Sequence, residues 1–316
     1  MISPEARTAL RETLGDVVRF NVPMKRHVSL RVGGAADALV TPTHRGELAR
    51  ALGVCAAHEL PRTVIGGGFN TIARDGGVDG VVLQLRRLRQ LELRDDGSLR
   101  AECGVSHATL TKKCIEAGRS GLEFGAGIPG TIGGWVAMNA GIGDREVKDA
   151  LLAIELMQPD GGDVAVIERA DLDFQYRALR GLEPGSVVLA AVFETSESTT
   201  EAVQAEVDRM LAHRQGTQPL DVPSCGSVFK NPPGDHAGRL IEAAGLKGAS
   251  LGGAEISAVH ANFIANRGDA SAADVLGLIE RARSSVREAN GIELETEVRI
   301  IGRDRDADGA ERGAQR

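Results

Sequence analysis

Short apolar runs of strand length alternate with longer amphipathic stretches in the first part of the chain. The pattern predicts a helix over residues 1–20, a strand in ADALVTP, and a helix in THRGELARALGVCAAHEL with Thr43 as its N-cap. Two further strands are predicted in RTVIGGG, which runs into a glycine turn, and in DGVVLQL. A region of mixed strands and helices therefore begins near Arg31.

The middle of the chain predicts two β-hairpins, LELRDDGSLRAEC and LLAIELMQPDGGDVAVIE, which turn at their DDG and DGG segments. Between them, SHATLTKKCIEAG predicts a helix that ends at Gly118. The strand SVVLAAVFET follows, and then a helix that begins near Ser198 and links this region to a smaller lobe.

Past residue 215, prolines punctuate a loop-rich stretch that precedes further regular elements. HAGRLIEAAGL predicts a helix, ANFIAN a short strand, and ELETEVRIIG an alternating strand that closes the core. SAADVLGLIERARSSVREAN predicts an amphipathic helix that Ser271 caps, with Asp274 in the capping box. Everything after Gly302 is charged and nearly devoid of apolar residues, so we expect a disordered tail. The predicted fold class is α+β.

Composition and net charge narrow the classes of function that the chain could have. A chain of 316 residues suggests two or three domains, and the 40 glycines with 3% aromatic residues favour sites lined by backbone. The 37 basic and 44 acidic residues give a net charge of −7, which argues against a sequence-independent nucleic-acid binder. No apolar run reaches membrane-spanning length, and the N-terminus does not resemble a signal peptide. The four scattered cysteines indicate neither a zinc site nor a disulfide framework, so we expect a cytoplasmic protein without a metal.

The segment GAGIPG fits the pattern G-x-G-x-x-G of a dinucleotide-binding turn, but its surroundings do not. No apolar strand precedes it, and Pro129, Gly130, Gly133 and Gly134 are too many breakers for a helix start packed on a sheet. A second glycine loop occurs in VIGGGFN, residues 64–70. Glycines can simply permit tight turns, but two such loops favour a dinucleotide whose two phosphates accept from backbone N–H groups.

Seven ordered blocks resemble one known family. These blocks are VGGAAD, VIGGGFNTIARDGGVDGVV, GIPGTIGGWVAMNAG, DFQYR, SCGSVFKNP, HANFIAN and ELETEVRIIG. In this order they are similar to the UDP-N-acetylenolpyruvoylglucosamine reductases, also called UDP-N-acetylmuramate dehydrogenases. The resemblance covers nearly all of residues 17–302, and this chain is similar to the form that lacks an extra tyrosine-bearing loop.

The resemblance implies an FAD-binding domain of the vanillyl-alcohol-oxidase type with two subdomains, followed by a substrate-binding lobe. We expect an N-terminal helix and lead-in at 1–30, the FAD-binding domain at 31–197 (subdomains 31–85 and 86–197), the lobe at 198–302 and the tail at 303–316. FAD would be non-covalent, and NADPH would be the hydride donor. The activity implied is reduction of the enolpyruvyl group of a UDP-sugar to UDP-N-acetylmuramate, in peptidoglycan precursor synthesis, by a cytoplasmic enzyme that we expect to be a monomer.

The family's site residues map onto the matching blocks. The resemblance implies catalytic roles for Arg177, Ser227 and Glu297. The positions matched to FAD contacts are Gly66, Gly67, Gly68, Phe69, Asn70, Gly127, Ile128, Pro129, Gly130, Thr131, Gly133, Gly134, Asn139 and Gly141. The candidates for substrate contacts are Tyr176, Lys230, Asn231, Asn262 and Arg299.

The proposed chemistry suits these residue types. Hydride addition to the enolpyruvyl double bond places negative charge next to a carboxylate, and that charge needs stabilisation and then a proton. Arg177 supplies a permanent cation, Glu297 a hydrogen bond and Ser227 the proton. Taken singly, each of these residues would be a surface ion pair, a solvent-facing carboxylate or a turn residue, and only their joint occurrence in matching blocks favours catalysis.

The chain departs from the family pattern at Phe69 and Trp135. The sequence also leaves two alternative functions open. Phe69 stands where the family usually has serine, and Trp135 stands where a small residue is frequent; we expect Trp135 to pack near the flavin. An FAD-dependent oxidase of the same fold, acting on an alcohol or sugar, is the first alternative, with His107 as a conceivable flavin tether. A non-catalytic flavin- or nucleotide-binding module is the second.

Overall fold

Three β-sheets with flanking helices organise the protein. The computed structural model describes residues 2–219 and 221–305. The first region contains α1 (Pro4–Leu14), β1 (Val18–Pro23), β2 (Ala35–Val40), α2 (Arg45–Ala57), β3 (Arg62–Ile65), β4 (Thr71–Ala73) and β5 (Val78–Gln84). No helix in these two described ranges is long and apolar enough to span a bilayer.

The first sheet has the order β1-β2-β5-β3, in which β2, β5 and β3 run parallel and β1 pairs antiparallel with β2. Buried residues of α1 and α2 pack together in a core with residues of this sheet. The helix predicted over residues 1–20 is too long, because α1 ends at Leu14 and residues 18–23 form an edge strand. Thr43 is not the N-cap of α2; His44 is, while the Thr43 N–H and hydroxyl donate to the Glu47 carboxylate.

The second region is largely antiparallel. Its elements are β6 (Leu91–Leu93), β7 (Leu99–Glu102), α3 (His107–Glu116), β8 (Arg119–Ser120), α4 (Ile132–Ala137), β9 (Gly141–Ile142), β10 (Arg145–Glu146), β11 (Leu151–Met157), β12 (Val164–Glu168), β13 (Asp173–Gln175), β14 (Ala178–Arg180), β15 (Val187–Phe193), β16 (Ser196–Glu197) and α5 (Thr200–Thr217). The main sheet has the order β12-β11-β15-β7-β6, and it confirms both predicted hairpins, β6–β7 and β11–β12. The glycine segment does lead into a helix, contrary to the sequence prediction, but α4 has only six residues.

The C-terminal lobe is a small sheet covered by helices. Its elements are β17 (Ser224–Ser227), α6 (Ala237–Ala243), β18 (Ser250–Leu251), β19 (Ala254–Ile256), β20 (Phe263–Asn266), α7 (Ala272–Asn290) and β21 (Arg299–Ile301). Sheet order is β17-β20-β19-β18. The predicted capping box of Ser271 and Asp274 is confirmed at the start of α7. The strand predicted in ELETEVRIIG is confirmed only for its last residues, and β21 leaves the lobe to pair in parallel with β4.

The regions share cores across their predicted boundaries. Leu30, Val32 and Ile72 belong to the core of the C-terminal lobe. Val203 and Val207 of α5 pack into the core of the second region. The predicted tail begins too early, because Arg303 donates its N–H to Gly77 and Asp304 pairs with Arg74; the rest of that prediction, residues 306–316, lies outside the described residues.

Candidate active site

The two predicted glycine loops lie against each other. The first follows β3 and the second leads into α4, whose first residues donate their N–H groups to Val105 O and Cys103 O at the end of β7 (Ile132 and Gly133, 2.9 Å each). A Cβ on Gly66 would overlap the Thr131 side chain of the second loop, whereas a Cβ on Gly67 would overlap the Phe69 ring of its own loop. The absence of a side chain at Gly66 is therefore what allows the loops to meet.

A cleft of about 700 Å³ opens beside these loops, and this volume lies in the range of small-molecule sites. Its walls are the loop residues Gly127, Ile128, Pro129 and Gly130, with residues of α3 and α5 opposite. Gly130 has φ +118°, and a Cβ there would meet no protein atom within 4 Å. Backbone without side chain thus borders open space, which fits the close approach of a dinucleotide such as FAD.

The two aromatic residues singled out from the sequence, Phe69 and Trp135, differ in their exposure near the cleft. Phe69 lies at its edge and is 41% exposed. Trp135 is buried and packs on His107, Phe124 and Phe193, so it belongs to the core beneath the cleft. Burial lowers the pKa of His107 to about 4, so its imidazole is a neutral wall residue.

Arg177 and Glu297 come together from distant parts of the chain. Arg177 is the second residue of the two-residue turn between β13 and β14, and its Nε lies 3.6 Å from Glu297 Oε1. Both side chains are 19% exposed. The Tyr176 ring lies under the guanidinium, at 4.8 Å from its carbon to the ring centroid, and is 46% exposed.

Ser227 is brought next to this pair by backbone pairing. Ser227 ends β17, and the following residue, Val228, accepts the Glu297 N–H at 2.8 Å. Lys230 comes from the same segment, and its ammonium lies 2.6 Å from Glu295. The structure therefore brings Arg177 and Glu297 together with the segment that carries Ser227 and Lys230, where the C-terminal lobe meets the second region.

The surroundings of the Glu297 carboxyl disfavour its ionised form. Burial raises the pKa of Glu297, while the nearby charges of Arg177 and Lys230 lower it and only partly offset the burial. A carboxyl in this environment can donate a hydrogen bond to an anionic substrate as well as accept one. No cluster of histidine, cysteine or acidic side chains in the described ranges could hold a metal ion.

Other predicted FAD contacts are occupied by protein. Asn139 is fully buried, and its amide donates to Glu146 and Gln175 O while its oxygen accepts the Lys148 N–H, which favours a structural role. A Cβ on Gly141 would overlap the β10 backbone, so this glycine permits the β9–β10 pairing. The FAD contacts predicted for the remaining loop residues stay predictions.

Three predicted substrate residues bond to the protein itself. The Asn262 amide exchanges two hydrogen bonds with the Phe229 backbone (2.9 and 2.8 Å), and Asn231 accepts the first N–H of α6. Arg299 donates to Val64 O at the end of β3, beside the first glycine loop rather than beside Arg177. These contacts favour structural roles for Asn262 and Asn231 and move Arg299 towards the cofactor side.

The sequence analysis missed two charged residues of the site. Glu146 Oε1 lies 3.5 Å from Arg177 Nη1, and Lys148 Nζ lies 2.7 Å from Glu146 Oε2. Both follow the glycine segment in GIGDREVKD. Nothing in that stretch taken alone distinguishes them from surface charges, because Arg177, the partner of Glu146, is about thirty residues away.

Comparisons with known proteins bear on the family and the fold of the chain. A family model described as the C-terminal domain of UDP-N-acetylenolpyruvoylglucosamine reductase matches residues 218–301, and one described as an FAD binding domain matches residues 36–165. The reductase of that name from Geotalea uraniireducens is 43% identical over 303 residues, covering 96% of this chain and 100% of the relative. The one from an Anaeromyxobacter species is 45% identical over 296 residues, covering 92% and 91%.

A solved structure gives the same result for the fold. The crystal structure of UDP-N-acetylenolpyruvylglucosamine reductase from Thermus caldophilus superimposes with a TM-score of 0.78 at 37% identity, over 90% of this chain and 100% of that one. The predicted fold class, an α+β FAD-binding domain followed by a C-terminal lobe, is thus confirmed. FAD is the cofactor that this domain binds. The chain belongs to the UDP-N-acetylenolpyruvoylglucosamine reductase family.

Proposed function

We propose that this protein is an FAD-dependent oxidoreductase that uses NADPH to reduce the enolpyruvyl group of UDP-N-acetylglucosamine enolpyruvate to the lactyl group of UDP-N-acetylmuramate. The observation that carries the proposal is the meeting of Arg177, Glu297 and the Ser227 segment beside Asn70 of the first glycine loop, whose amide donates to Glu297 O at 3.1 Å. A cation, a proton-holding carboxyl and a hydroxyl at one place match the needs of an enolpyruvyl reduction.

The glycine loops would hold the cofactor. Their backbone N–H groups are suited to the pyrophosphate, and the cleft beside them has room for part of the dinucleotide. FAD held there would supply the hydride chemistry that connects NADPH to the methylene carbon of the enolpyruvyl group. The chain itself binds the substrate carboxylate, excludes water and manages the charge that hydride addition creates.

Arg177 binds the substrate carboxylate with its planar fork and stabilises the second negative charge that develops on it. Protonated Glu297 donates a hydrogen bond to the same oxygen atoms, and this is why burial of its carboxyl matters. The Ser227 hydroxyl then gives its proton to the carbon next to the carboxylate. Lys230, three residues further along the same segment, supplies a positive charge that favours the transient serine alkoxide until solvent reprotonates it.

The cellular location and the absence of a nucleic-acid partner follow from the proposed activity and from the net charge. UDP-sugar precursors of peptidoglycan are made in the cytoplasm, so we place the protein there. The net charge of −7 offers no basic footprint for nucleic acid. The complete site comes from a single chain, which is compatible with a monomer.

Turnover by the purified protein tests the proposal. The protein should be yellow, acid precipitation should release the flavin, and NADPH oxidation should depend on the enolpyruvyl UDP-sugar and yield UDP-N-acetylmuramate. Oxygen consumption with an alcohol or sugar, and no response to the UDP-sugar, would instead favour an oxidase. A folded, colourless protein that does not take up FAD would overturn both.

A further inference from the structure

A second carboxylate, that of Glu146, contacts the same guanidinium as Glu297. Glu146 Oε1 lies 3.5 Å from Arg177 Nη1, whereas Glu297 Oε1 lies 3.6 Å from Arg177 Nε. One permanent cation is thus shared between two acidic side chains that are both largely buried, at 17% and 19% exposure. The mechanism above assigns a role to Glu297 alone.

Glu146 is held rigidly from several directions. Asn139 Nδ2 donates to Glu146 Oε2 at 2.8 Å, and Lys148 Nζ lies 2.7 Å from the same oxygen. Glu146 also caps the short turn that follows it, in which its side chain and that of Asp149 each accept a backbone N–H of the other. These donors hold the Glu146 carboxylate in one position, and the carboxylate in turn fixes the position of Arg177.

The charges around Glu297 come from three segments. Arg177 faces it from the β13–β14 turn, and Lys230, which pairs with Glu295, faces it from the segment after β17. Glu146 and Lys148 reach it through Arg177, and Tyr176 adds a neutral ring beneath the guanidinium. The negative charge of Glu146, held against Arg177, offsets part of the positive charge that Glu297 experiences and so disfavours ionisation of Glu297.

We propose that Glu146 is a positioning residue, which holds Arg177 between two carboxylates and thereby keeps Glu297 in its protonated form for the reaction. The inference rests on the proposed function, in which Glu297 donates a hydrogen bond to the substrate carboxylate. Glu146 touches neither substrate nor cofactor in this role; it acts through Arg177.

Three variants separate the electrostatic role from a merely structural one. Glu146→Gln keeps the shape and removes the charge, so Arg177 should favour ionised Glu297 and lower the pKa of Glu297 by about one unit. Lys148→Gln removes a cation that competes for Glu146, so it should raise the pKa of Glu297, by less because Lys148 is 33% exposed. Asp149→Asn weakens the same turn without touching Arg177 and should leave the pKa of Glu297 unchanged.

Infrared titration of the FAD-loaded protein measures the Glu297 carboxyl directly. The band of protonated Glu297 is assigned by its loss in Glu297→Gln, and its titration is followed in each variant. Shifts of opposite sign in Glu146→Gln and Lys148→Gln, with none in Asp149→Asn, are expected. An unshifted titration in Glu146→Gln, or equal shifts in Glu146→Gln and Asp149→Asn, would overturn the proposal. Should Glu146→Gln not fold, an unshifted Lys148→Gln would overturn it equally.

The pH profile of turnover links this titration to catalysis. The high-pH limb of the rate should move to lower pH in Glu146→Gln and to higher pH in Lys148→Gln, by the same amounts as the infrared titration. A wild-type protein without enolpyruvyl reduction would contradict the proposed function, while the infrared result would still decide the role of Glu146.

Discussion

Arg177 adopts a left-handed backbone conformation, with φ 56°, that is uncommon for residues other than glycine. The two-residue turn between β13 and β14 requires it, and the turn aims the guanidinium at Glu146 and Glu297. Backbone strain of this kind costs about 1–3 kcal/mol and persists where surrounding contacts over-determine it, often at functional sites. The contacts of the Arg177 side chain with Glu146 and Glu297 thus stabilise a backbone conformation that is otherwise unfavourable.

Replacing Arg177 with lysine should slow enolpyruvyl reduction by about 10²–10³-fold, because the charge remains but the planar fork is lost. FAD content should not change, since the side chain of Arg177 contacts Glu146, Glu297 and Asn139 O and does not line the cleft beside the glycine loops. Rapid-mixing kinetics of the UDP-sugar step measures the loss. Arg180→Lys, on the exposed end of the same hairpin, is the control and should match wild type. Equal rates in both variants would make Arg177 a structural residue.

Protonation of Glu297 also affects the free energy of unfolding. Because burial raises its pKa in the folded state, the folded protein binds its proton more tightly than the unfolded chain does. This contribution to the free energy of unfolding is present below the ordinary pKa of 4.5 and is lost as pH rises through the raised value. Subtracting the Glu297→Gln profile from that of wild type, by urea unfolding between pH 4 and pH 8, should show that decline. A difference that is flat or rises with pH would contradict the raised pKa.

At this scale the sequence predicted Arg177 and Glu297 as one site, and their side chains do lie together, but the prediction came through resemblance between blocks rather than through chemistry visible in each residue. The roles of Asn139 and Asn262 were not predictable in that way. Both amides satisfy buried backbone or side-chain groups, and such pairings depend on the packed structure. Glu146 escaped notice because a lone acidic residue after a glycine turn carries no signal of its distant partner.

Among the elements, the glycine loops show two different uses of the same residue type. Gly66 permits the loops to pack against each other, whereas Gly130 borders the open cleft. The sequence predicted both loops as phosphate sites but did not distinguish these uses. It also missed β1 and overextended β21, because VRFNVP and ELETEV have patterns that tertiary pairing, and not local propensity, decides.

Gly130→Ala should weaken FAD binding by about tenfold or more, equivalent to about 1.4 kcal/mol, because a methyl group enters the cleft beside the cofactor. Gly245→Ala is the matched control, since Gly245 also has positive φ and open space around it but lies after α6 in the C-terminal lobe. Both variants should lose stability through backbone strain. Flavin titration of the folded apoproteins separates the effects, and equal FAD affinity in the two variants would remove Gly130 from the cofactor site.

Across the whole molecule, shared core residues and strand pairing hold the three regions together in addition to the covalent chain. The C-terminal lobe includes Leu30 and Val32 in its core, and its last strand returns to pair with β4. The helix α5, predicted as a linker, packs on the second region, and the matching C-terminal family domain begins at residue 218. We therefore propose a boundary near residue 218 instead of 198, a distinction that helix periodicity alone does not reveal.

Asp75 holds the first region against the lobe. Its carboxylate accepts the N–H groups of Ala272 and Ala273 at the start of α7, both at 2.9 Å. Asp75→Ala should lower the free energy of unfolding by about 1–2 kcal/mol, through the loss of charged caps at a helix N-terminus. Urea unfolding followed by flavin fluorescence measures it, with exposed Asp95→Ala as control. A loss no greater than that of Asp95→Ala would show that this contact does not hold the lobe.

The central claim is that this one site reduces an enolpyruvyl group with Ser227 as the proton donor. Stopped-flow absorbance of the flavin in Ser227→Ala tests it most directly, with Ser224→Ala on the same strand as control. Reduction by NADPH should proceed at the wild-type rate in both variants, because no carbanion exists at that stage. Reoxidation by the enolpyruvyl UDP-sugar should slow by about 10²–10⁴-fold in Ser227→Ala alone, since the unprotonated product returns its hydride. Reoxidation of Ser227→Ala within a few-fold of the Ser224→Ala rate would contradict the account.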